Sequence, residues 1–187
     1  EALSLGLVAK KLGVRPPSLY HHFKDKSELL QEVARIMLVR ITLMDSGDES
    51  YEERIIDICV STRRAMLKHP NAAPLILRYF PKHMLLAAYD RAARDEPFPT
   101  SIQLVVIEAI ERLTYGTALF EAAARARGVA PIPFVDPGKY PNLAKAIADS
   151  PFDDEALFVE SLRIFLTGVR SRLDQGTVGK SLKPATA

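Results

Sequence analysis

Five side chains that can donate hydrogen bonds stand close together near the start of the chain. They comprise one guanidinium, one hydroxyl, one phenol and two imidazoles. Groups of these kinds bind phosphate oxygens and the edges of nucleic acid bases. Imidazoles can also bind metal ions. The five residues are Arg15, Ser18, Tyr20, His21 and His22.

The residues around this group predict a helix-turn-helix. Gly13 follows Leu12 and can adopt the positive φ that ends a helix. Pro16 and Pro17 suit the first turn of a helix, so a second helix must begin near Pro16. The turn between the two helices is then about three residues long, as in units that read DNA. We expect four apolar residues to pack between these helices: Val8, Leu12, Val14 and Leu19.

A third helix is expected to follow the helix-turn-helix. Asp25 and Glu28 have the spacing of a capping pair, which predicts that this helix opens just after Asp25.

A family resemblance is carried by the segment LGVRPPSLYHHFKDKSELL. It is similar, almost position by position, to the DNA-binding signature of the tetracycline-repressor (TetR/AcrR) family of bacterial transcription regulators. The resemblance implies that Pro17, Ser18 and Tyr20 meet bases or the DNA backbone. It also implies that Lys26 reaches a phosphate, at a helix N-terminus that favours anions. The predicted DNA-binding residues are Arg15, Pro17, Ser18, Tyr20, His21 and Lys26.

The sequence departs from the family pattern at two places. Pro16 stands where relatives often carry a polar base-reading side chain, and Gly6 stands where some carry an arginine. The operator of a relative therefore cannot be transferred to this chain. Family members also place an amphipathic helix before this point. Because the sequence begins at Glu1, we expect that helix to be missing here.

Hydrophobic periodicity predicts an all-α fold for the remainder. Residues 1–44 are expected to form the DNA-binding head with its connecting helix, 45–174 a ligand-binding and dimerisation body, and 175–187 a flexible tail. The first body helix is expected to bury Ile55, Ile58, Cys59, Thr62, Met66 and Leu67. Residues 101–127 should form the longest helix, apolar on most of its surface, and residues 128–141 a proline-rich loop.

The resemblance implies that two helices of the body pair with their copies in a homodimer. The apolar stripe of the last helix is the predicted interface: Phe158, Leu162, Phe165, Leu166 and Val169. The helices between are expected to enclose a mostly apolar cavity for a small, apolar or aromatic effector that releases the protein from a palindromic operator. Its predicted lining is Met66, Phe80, Met84, Tyr89, Glu111 and Tyr115.

Composition and charge agree with a cytoplasmic protein. The formal net charge is +2, and residues 1–44 hold seven Lys/Arg against four Asp/Glu. The single cysteine, Cys59, excludes an internal disulfide and is expected to be a buried small residue. The sequence contains neither an apolar run of membrane-spanning length nor a signal peptide.

Other functions find little support in the sequence. His21 and His22 are adjacent, so on a helix they point about 100° apart and cannot chelate one metal ion. The glycines form no phosphate-binding loop, and no serine lies in a nucleophile elbow. We therefore expect no metal, no cofactor and no enzymatic activity. The alternative is a helical adaptor or partner-binding bundle without sequence-specific DNA binding.

Overall fold

The computed structural model describes residues 3–39, 50–79 and 82–179, and its regular secondary structure in these ranges is entirely helical. The predicted all-α fold is thereby confirmed. Nine helices occur in the described ranges: α1 (Leu5–Leu12), α2 (Pro16–Tyr20), α3 (Lys26–Val39), α4 (Tyr51–Leu67), α5 (Ala73–Tyr79), α6 (Lys82–Asp95), α7 (Thr100–Ala126), α8 (Pro141–Asp149) and α9 (Asp154–Asp174).

The predicted helix-turn-helix is present in α1 and α2. The Ser4 hydroxyl accepts a hydrogen bond from the Leu7 amide at 3.2 Å and caps the start of α1. Gly13 ends α1 with a φ of 68°, which a residue with a side chain adopts only at a cost. Pro16 and Pro17 occupy the first turn of α2. The two helices are therefore separated by a turn of three residues, as predicted.

The packing expected between α1 and α2 is only partly correct. Leu19 is buried and Val8 is half-buried, but Leu12 is 63% exposed and Val14 is also exposed. Because α2 has only five residues, it is too short to cover the whole apolar side of α1. The inward contacts of α1 are instead made by Leu5 and Ala9, which are four residues apart on one helix face.

The body is built around α4, α7 and α9. Their buried residues form the main core together with Phe98, which lies just before α7. The residues of these helices in the core are Ile56, Cys59, Val60, Ile102, Val106, Phe158, Leu162 and Leu166. A second cluster joins α4 and α7 to α5 through Met66, Leu67, Ala73, Ile76, Ala118 and Ala122. Met37 of α3 packs against this second cluster. The core of the body therefore reaches the helix that follows the helix-turn-helix.

The predicted buried face of α4 is wrong at one position and incomplete at others. Ile58 is exposed and Ile55 only half-buried, whereas Ile56 and Val60 are buried. Because α4 packs against both α7 and α9, it buries a wider arc than a single stripe. That arc includes Arg63.

The predicted dimer interface on α9 is wrong for Phe158, Leu162 and Leu166. These three side chains are almost completely buried within the chain itself, against α4 and α7. Phe165 and Val169 are half-buried and pack against the same core. The stripe is long because two helices of the same chain cover it. The large apolar residue that α9 exposes to solvent is Ile164, at 65%.

The segment between α7 and α9 lies apart from the core. Residues 129–140 form no regular helix, and Asp136 accepts a hydrogen bond from the Gly138 amide at 2.9 Å. α8 follows and buries none of its residues; its apolar Leu143 is exposed. α9 then starts at a cap in which Asp153 accepts from the Ala156 amide at 2.8 Å.

The first residues after α9 do not form the predicted free tail. The Arg172 guanidinium donates to the Thr177 carbonyl at 3.1 Å, and Val178 packs against the main core. Residues 180–187 lie outside the described ranges. Within those ranges, none of the helices combines the length and hydropathy needed to cross a bilayer.

Candidate DNA-reading surface and ligand cleft

All six predicted DNA-binding residues are exposed to solvent. α2 is anchored by a single buried side chain, that of Leu19. Tyr20, the next residue, is 57% exposed. Arg15 immediately precedes α2 in an extended conformation. The short helix therefore leaves most of its polar surface available to a large partner.

The N-terminus of α3 is already occupied by carboxylates of the chain. The Asp25 carboxylate accepts a hydrogen bond from the Glu28 amide at 2.9 Å, and the Glu28 carboxylate accepts from the Lys24 amide at 2.6 Å. This is the reciprocal capping pair that the sequence predicts. Because these negative charges offset the positive end of the helix dipole, a phosphate contact here depends mainly on the Lys26 ammonium group.

A cleft of about 720 Å³ lies between α5 and α7. We call it the α5–α7 cleft. Its volume suits a drug-sized molecule, and its walls are mostly apolar. Its lining residues are Ile76, Leu77, Glu108, Glu111, Arg112, Tyr115, Gly116, Leu119, Phe120 and Ala123.

The structure brings together part of the predicted ligand pocket. Glu111 and Tyr115 line the α5–α7 cleft, and the Tyr89 hydroxyl of α6 donates a hydrogen bond to the Glu111 carboxylate. Met66 is wrongly predicted as a lining residue, because it is fully buried in the second core cluster. The side chains of Phe80 and Met84 lie outside the described part of the molecule.

Sequence reasoning missed most of the apolar wall. Tyr115, Leu119 and Ala123 follow one another at steps of four, so they share a face of α7. That spacing is visible in the sequence, but α7 is apolar on nearly every side. Its period therefore cannot show which side faces a cleft. Leu77 and Phe120 complete the wall.

Hydrogen bonds join polar groups that line the α5–α7 cleft. Arg112 donates to Glu108 at 2.7 Å, and its side chain is 72% exposed at the rim. Burial, reinforced by the negative charge of Glu111, raises the pKa of the Tyr115 phenol well above its usual range. The Tyr115 phenol is therefore neutral at physiological pH.

A second, strongly polar cleft of about 440 Å³ lies where α4, α7 and the start of α9 meet. Arg63, which is buried, donates to the buried Glu121 carboxylate, and Arg125 bonds the other oxygen of Glu121 at 2.5 Å. Arg64 donates to Glu155 at 2.9 Å, and this hydrogen bond lowers the pKa of the Glu155 carboxyl. Five of the charged side chains that line this cleft are thus paired with one another.

Glu96, just after α6, is a buried carboxyl group. Neither of its oxygens has a hydrogen-bond partner among the described residues. Burial raises the pKa of Glu96 to about 7. The sequence gives no sign of this, because the residue stands in an ordinary polar connection before Pro97.

Comparison with known proteins places these features in context. Residues 1–33 match the sequence model of the bacterial regulatory proteins of the tetR family. The tetracycline repressor protein class D of Escherichia coli is 28% identical over 184 residues, which cover 92% of this chain and 82% of that protein.

Solved structures show the same fold. A possible TetR family transcriptional regulator from Streptomyces coelicolor A3(2) has a TM-score of 0.70 and 25% identity, covering 90% of this chain and 89% of that one. The TetR family protein ActR of Streptomyces coelicolor, in complex with actinorhodin, has a TM-score of 0.67 and 21% identity, covering 95% of this chain and 89% of that one.

Proposed function

We propose that this chain, a transcriptional regulator of the TetR family rather than an enzyme, is a cytoplasmic repressor that binds a palindromic operator as a homodimer. A small, mostly apolar or aromatic effector releases it from DNA. The observation that supports the proposal is the exposure of α2. This helix buries only Leu19 and leaves its polar side chains exposed to solvent. The alternative, a helical adaptor that does not bind DNA, does not account for this surface.

DNA contacts are assigned to the exposed residues in and around α2. Tyr20 can cover a thymine methyl group with its ring, and its hydroxyl can donate to a phosphate. Ser18 and His21 lie on the same short helix and can bind base edges or phosphates. Arg15 and Lys26 flank the helix with positive charge, which supplies affinity that does not depend on sequence.

The homodimer is proposed from apolar surface that a single chain leaves uncovered. Phe120 of α7 is 82% exposed and lies beside Leu157 and Ser161 of α9 along one shallow cleft. Ile164, one turn after Ser161, extends this face. A second copy that covers the same face by two-fold symmetry would bury a standard interface of roughly 1,600 Å². The two α2 helices would then enter successive major grooves, about 34 Å apart.

The effector is assigned to the α5–α7 cleft. One wall of that cleft is α7, which also packs against α4 and α5. α5 packs in turn on the cluster that Met37 of α3 joins. An effector bound more tightly to one arrangement of these helices than to another would shift the spacing of the heads, and hence the affinity for DNA.

The proposal is tested by selecting duplexes from a random library with the full-length protein and measuring affinity for the enriched site. Tyr20→Ala should weaken binding by about 1–3 kcal/mol and relax discrimination between sites. Lys26→Ala should weaken binding to every sequence alike and lower the salt dependence. Lys145→Ala, an exposed change on α8, is the matched control.

The selection itself can contradict the assignment. A library that yields no enriched sequence, or a Tyr20→Ala protein that binds the enriched site as tightly as wild type, would remove the basis for the DNA-reading role of α2. An enriched site without two-fold symmetry would contradict the homodimeric mode of binding.

A further inference from the structure

We propose that Pro16 recognises a thymine of the operator through the C5 methyl group of that base, so that affinity for the operator depends on this methyl group. The inference rests on the proposed function, since it takes α2 to enter the major groove. It goes further by assigning a kind of base to a residue whose side chain forms no hydrogen bonds.

The first argument is the main chain at the start of α2. Pro16 and Pro17 have no amide hydrogen. The Ser18 amide donates to the Arg15 carbonyl at 3.0 Å. The first three residues of α2, all of which the structure describes, therefore offer no unpaired main-chain donor to a base or to a phosphate. Recognition at Pro16 must come from its ring.

The second argument is the place of this ring on α2. Pro16 and Tyr20 are four residues apart, so they share one face of the helix. Both residues are exposed, whereas Leu19 is buried. The residues at the start of a recognition helix are those that contact base edges in the major groove. The Pro16 ring therefore presents saturated carbon atoms where a base edge would lie.

The third argument is the cost of placing this ring against polar atoms. In the major groove, guanine, adenine and cytosine present donors and acceptors, whereas thymine adds a methyl group. A polar atom that the Pro16 ring covers loses its water without gaining a hydrogen bond, which costs free energy. Covering the thymine methyl group is favourable, because it removes apolar surface from water. The ring therefore favours thymine at the base that it covers.

The test uses the operator selected from the random library. Each thymine is replaced in turn, in both half-sites, by uracil, which lacks only the C5 methyl group. Dissociation constants are measured by fluorescence anisotropy on the full-length protein at one salt concentration. For one thymine, the replacement should weaken binding by about fourfold per half-site, the value expected for one buried methyl group. In Pro16→Gln this sensitivity should disappear, while a thymine that Tyr20 covers should stay sensitive.

Pro141→Gln is the matched control. Pro141 is the first residue of α8 and is exposed like Pro16, so the same substitution is made at the same helix position away from the head. It should keep the wild-type response at every thymine. Pro16→Ala, which removes most of the ring without adding a polar group, should reduce the response and keep binding to the operator measurable. Circular dichroism establishes that each variant is folded.

5-Methylcytosine provides a second measurement, because it carries the same methyl group on a different base. Cytosine in place of the sensitive thymine, with guanine opposite, should weaken binding by the wild-type protein. 5-Methylcytosine at that position should recover about fourfold per half-site. Pro16→Gln should bind the two duplexes equally well.

The outcomes separate this inference from the proposed function. If every thymine that is sensitive in the wild-type protein remains equally sensitive in Pro16→Gln and Pro16→Ala, the assignment to Pro16 is wrong although the protein still binds its operator. Equal binding of the cytosine and 5-methylcytosine duplexes by the wild-type protein would contradict it as well. If the selection yields no enriched sequence, the inference fails together with the DNA-reading role of α2.

Discussion

Arg63 of α4 donates a hydrogen bond to Glu121 of α7, and both side chains are buried. The same guanidinium lies 3.4 Å from the Asp154 carbonyl at the start of α9 and 5.5 Å from the centroid of the Phe158 ring. One side chain of α4 thus contacts both of the other helices around which the body is built. A charged group in this position is stable only while its partners remain in place.

Removing the carboxylate from this pair should therefore destabilise the body strongly. Glu121→Ala removes the carboxylate that neutralises the buried Arg63 charge. We therefore expect a loss of about 3–5 kcal/mol in the free energy of unfolding. Equilibrium urea denaturation measures it. Arg64→Ala is the matched control, because Arg64 is mostly exposed and its bond to Glu155 should contribute little to stability.

The double variant Arg63→Met/Glu121→Leu distinguishes a buried charge from a general packing defect. Because it removes both charges and fills the space with apolar atoms, it should recover much of the stability that Glu121→Ala loses. If the double variant is as unstable as Glu121→Ala, the loss of stability cannot be explained by an unpaired buried charge alone, and the ion pair itself must stabilise the body.

The end of α1 should be sensitive to a single methyl group at Gly13. A Cβ added there meets no atom within 4 Å, but the backbone has a φ of 68°. Gly13→Ala should therefore cost about 1–2 kcal/mol through backbone strain alone. Gly6→Ala in the same helix has ordinary backbone geometry and space for the Cβ, and should stabilise by about 0.5–1 kcal/mol. Thermal unfolding of both variants measures the difference, and equal effects would contradict the explanation.

Glu96 should make stability decrease as the pH rises. Its pKa in the folded protein is about 7, above the ordinary value of 4.5, because burial disfavours the charged carboxylate. The folded state therefore binds the proton more tightly than the unfolded state. The contribution of the protonated group is complete below about pH 4.5 and lost by about pH 7, with a total on the order of 2–4 kcal/mol.

Comparison with Glu96→Gln isolates this effect from other titrating groups. The stability of wild type relative to the variant should fall between these two pH values and remain constant above them. Glu160→Gln serves as the control on a partly exposed carboxyl group. A difference between wild type and Glu96→Gln that does not change with pH would contradict the raised pKa.

Two substitutions on α9 should separate dimerisation from folding. Ile164→Glu places a charge on the exposed apolar face, so it should yield folded monomers that bind a palindrome far more weakly. Leu162→Glu places a charge in the main core and should unfold the chain, with a loss of about 4–5 kcal/mol or more. Sedimentation and circular dichroism measure the two properties. A dimer that survives Ile164→Glu would contradict the proposed interface.

The sequence predicted those features that are determined within one or two turns of chain. Gly13, Pro16 and the Asp25–Glu28 pair determine where helices begin and end, because each acts on nearby backbone groups. The exposure of the α2 side chains follows from the same local signals. Prediction of the helix ends in the head succeeded because the signals for them are short-range.

Prediction failed where the answer depends on which surface covers an apolar stripe. The stripe of α9 has the same period whether it packs against α4 and α7 or against a second copy. Likewise, the buried hydrogen bond from Arg63 to Glu121 joins residues that are far apart in sequence. Periodicity carries no information about such pairs.

The exposure of α8 should make the segment that contains it sensitive to proteolysis. Because α8 buries none of its residues, opening residues 129–149 costs little free energy, and a protease should cut this segment before it cuts the helices of the core. The two fragments should nevertheless remain associated, since α9 is anchored by three side chains in the core of the larger fragment. The nicked protein should migrate as two bands on a denaturing gel while behaving as a single folded species in solution.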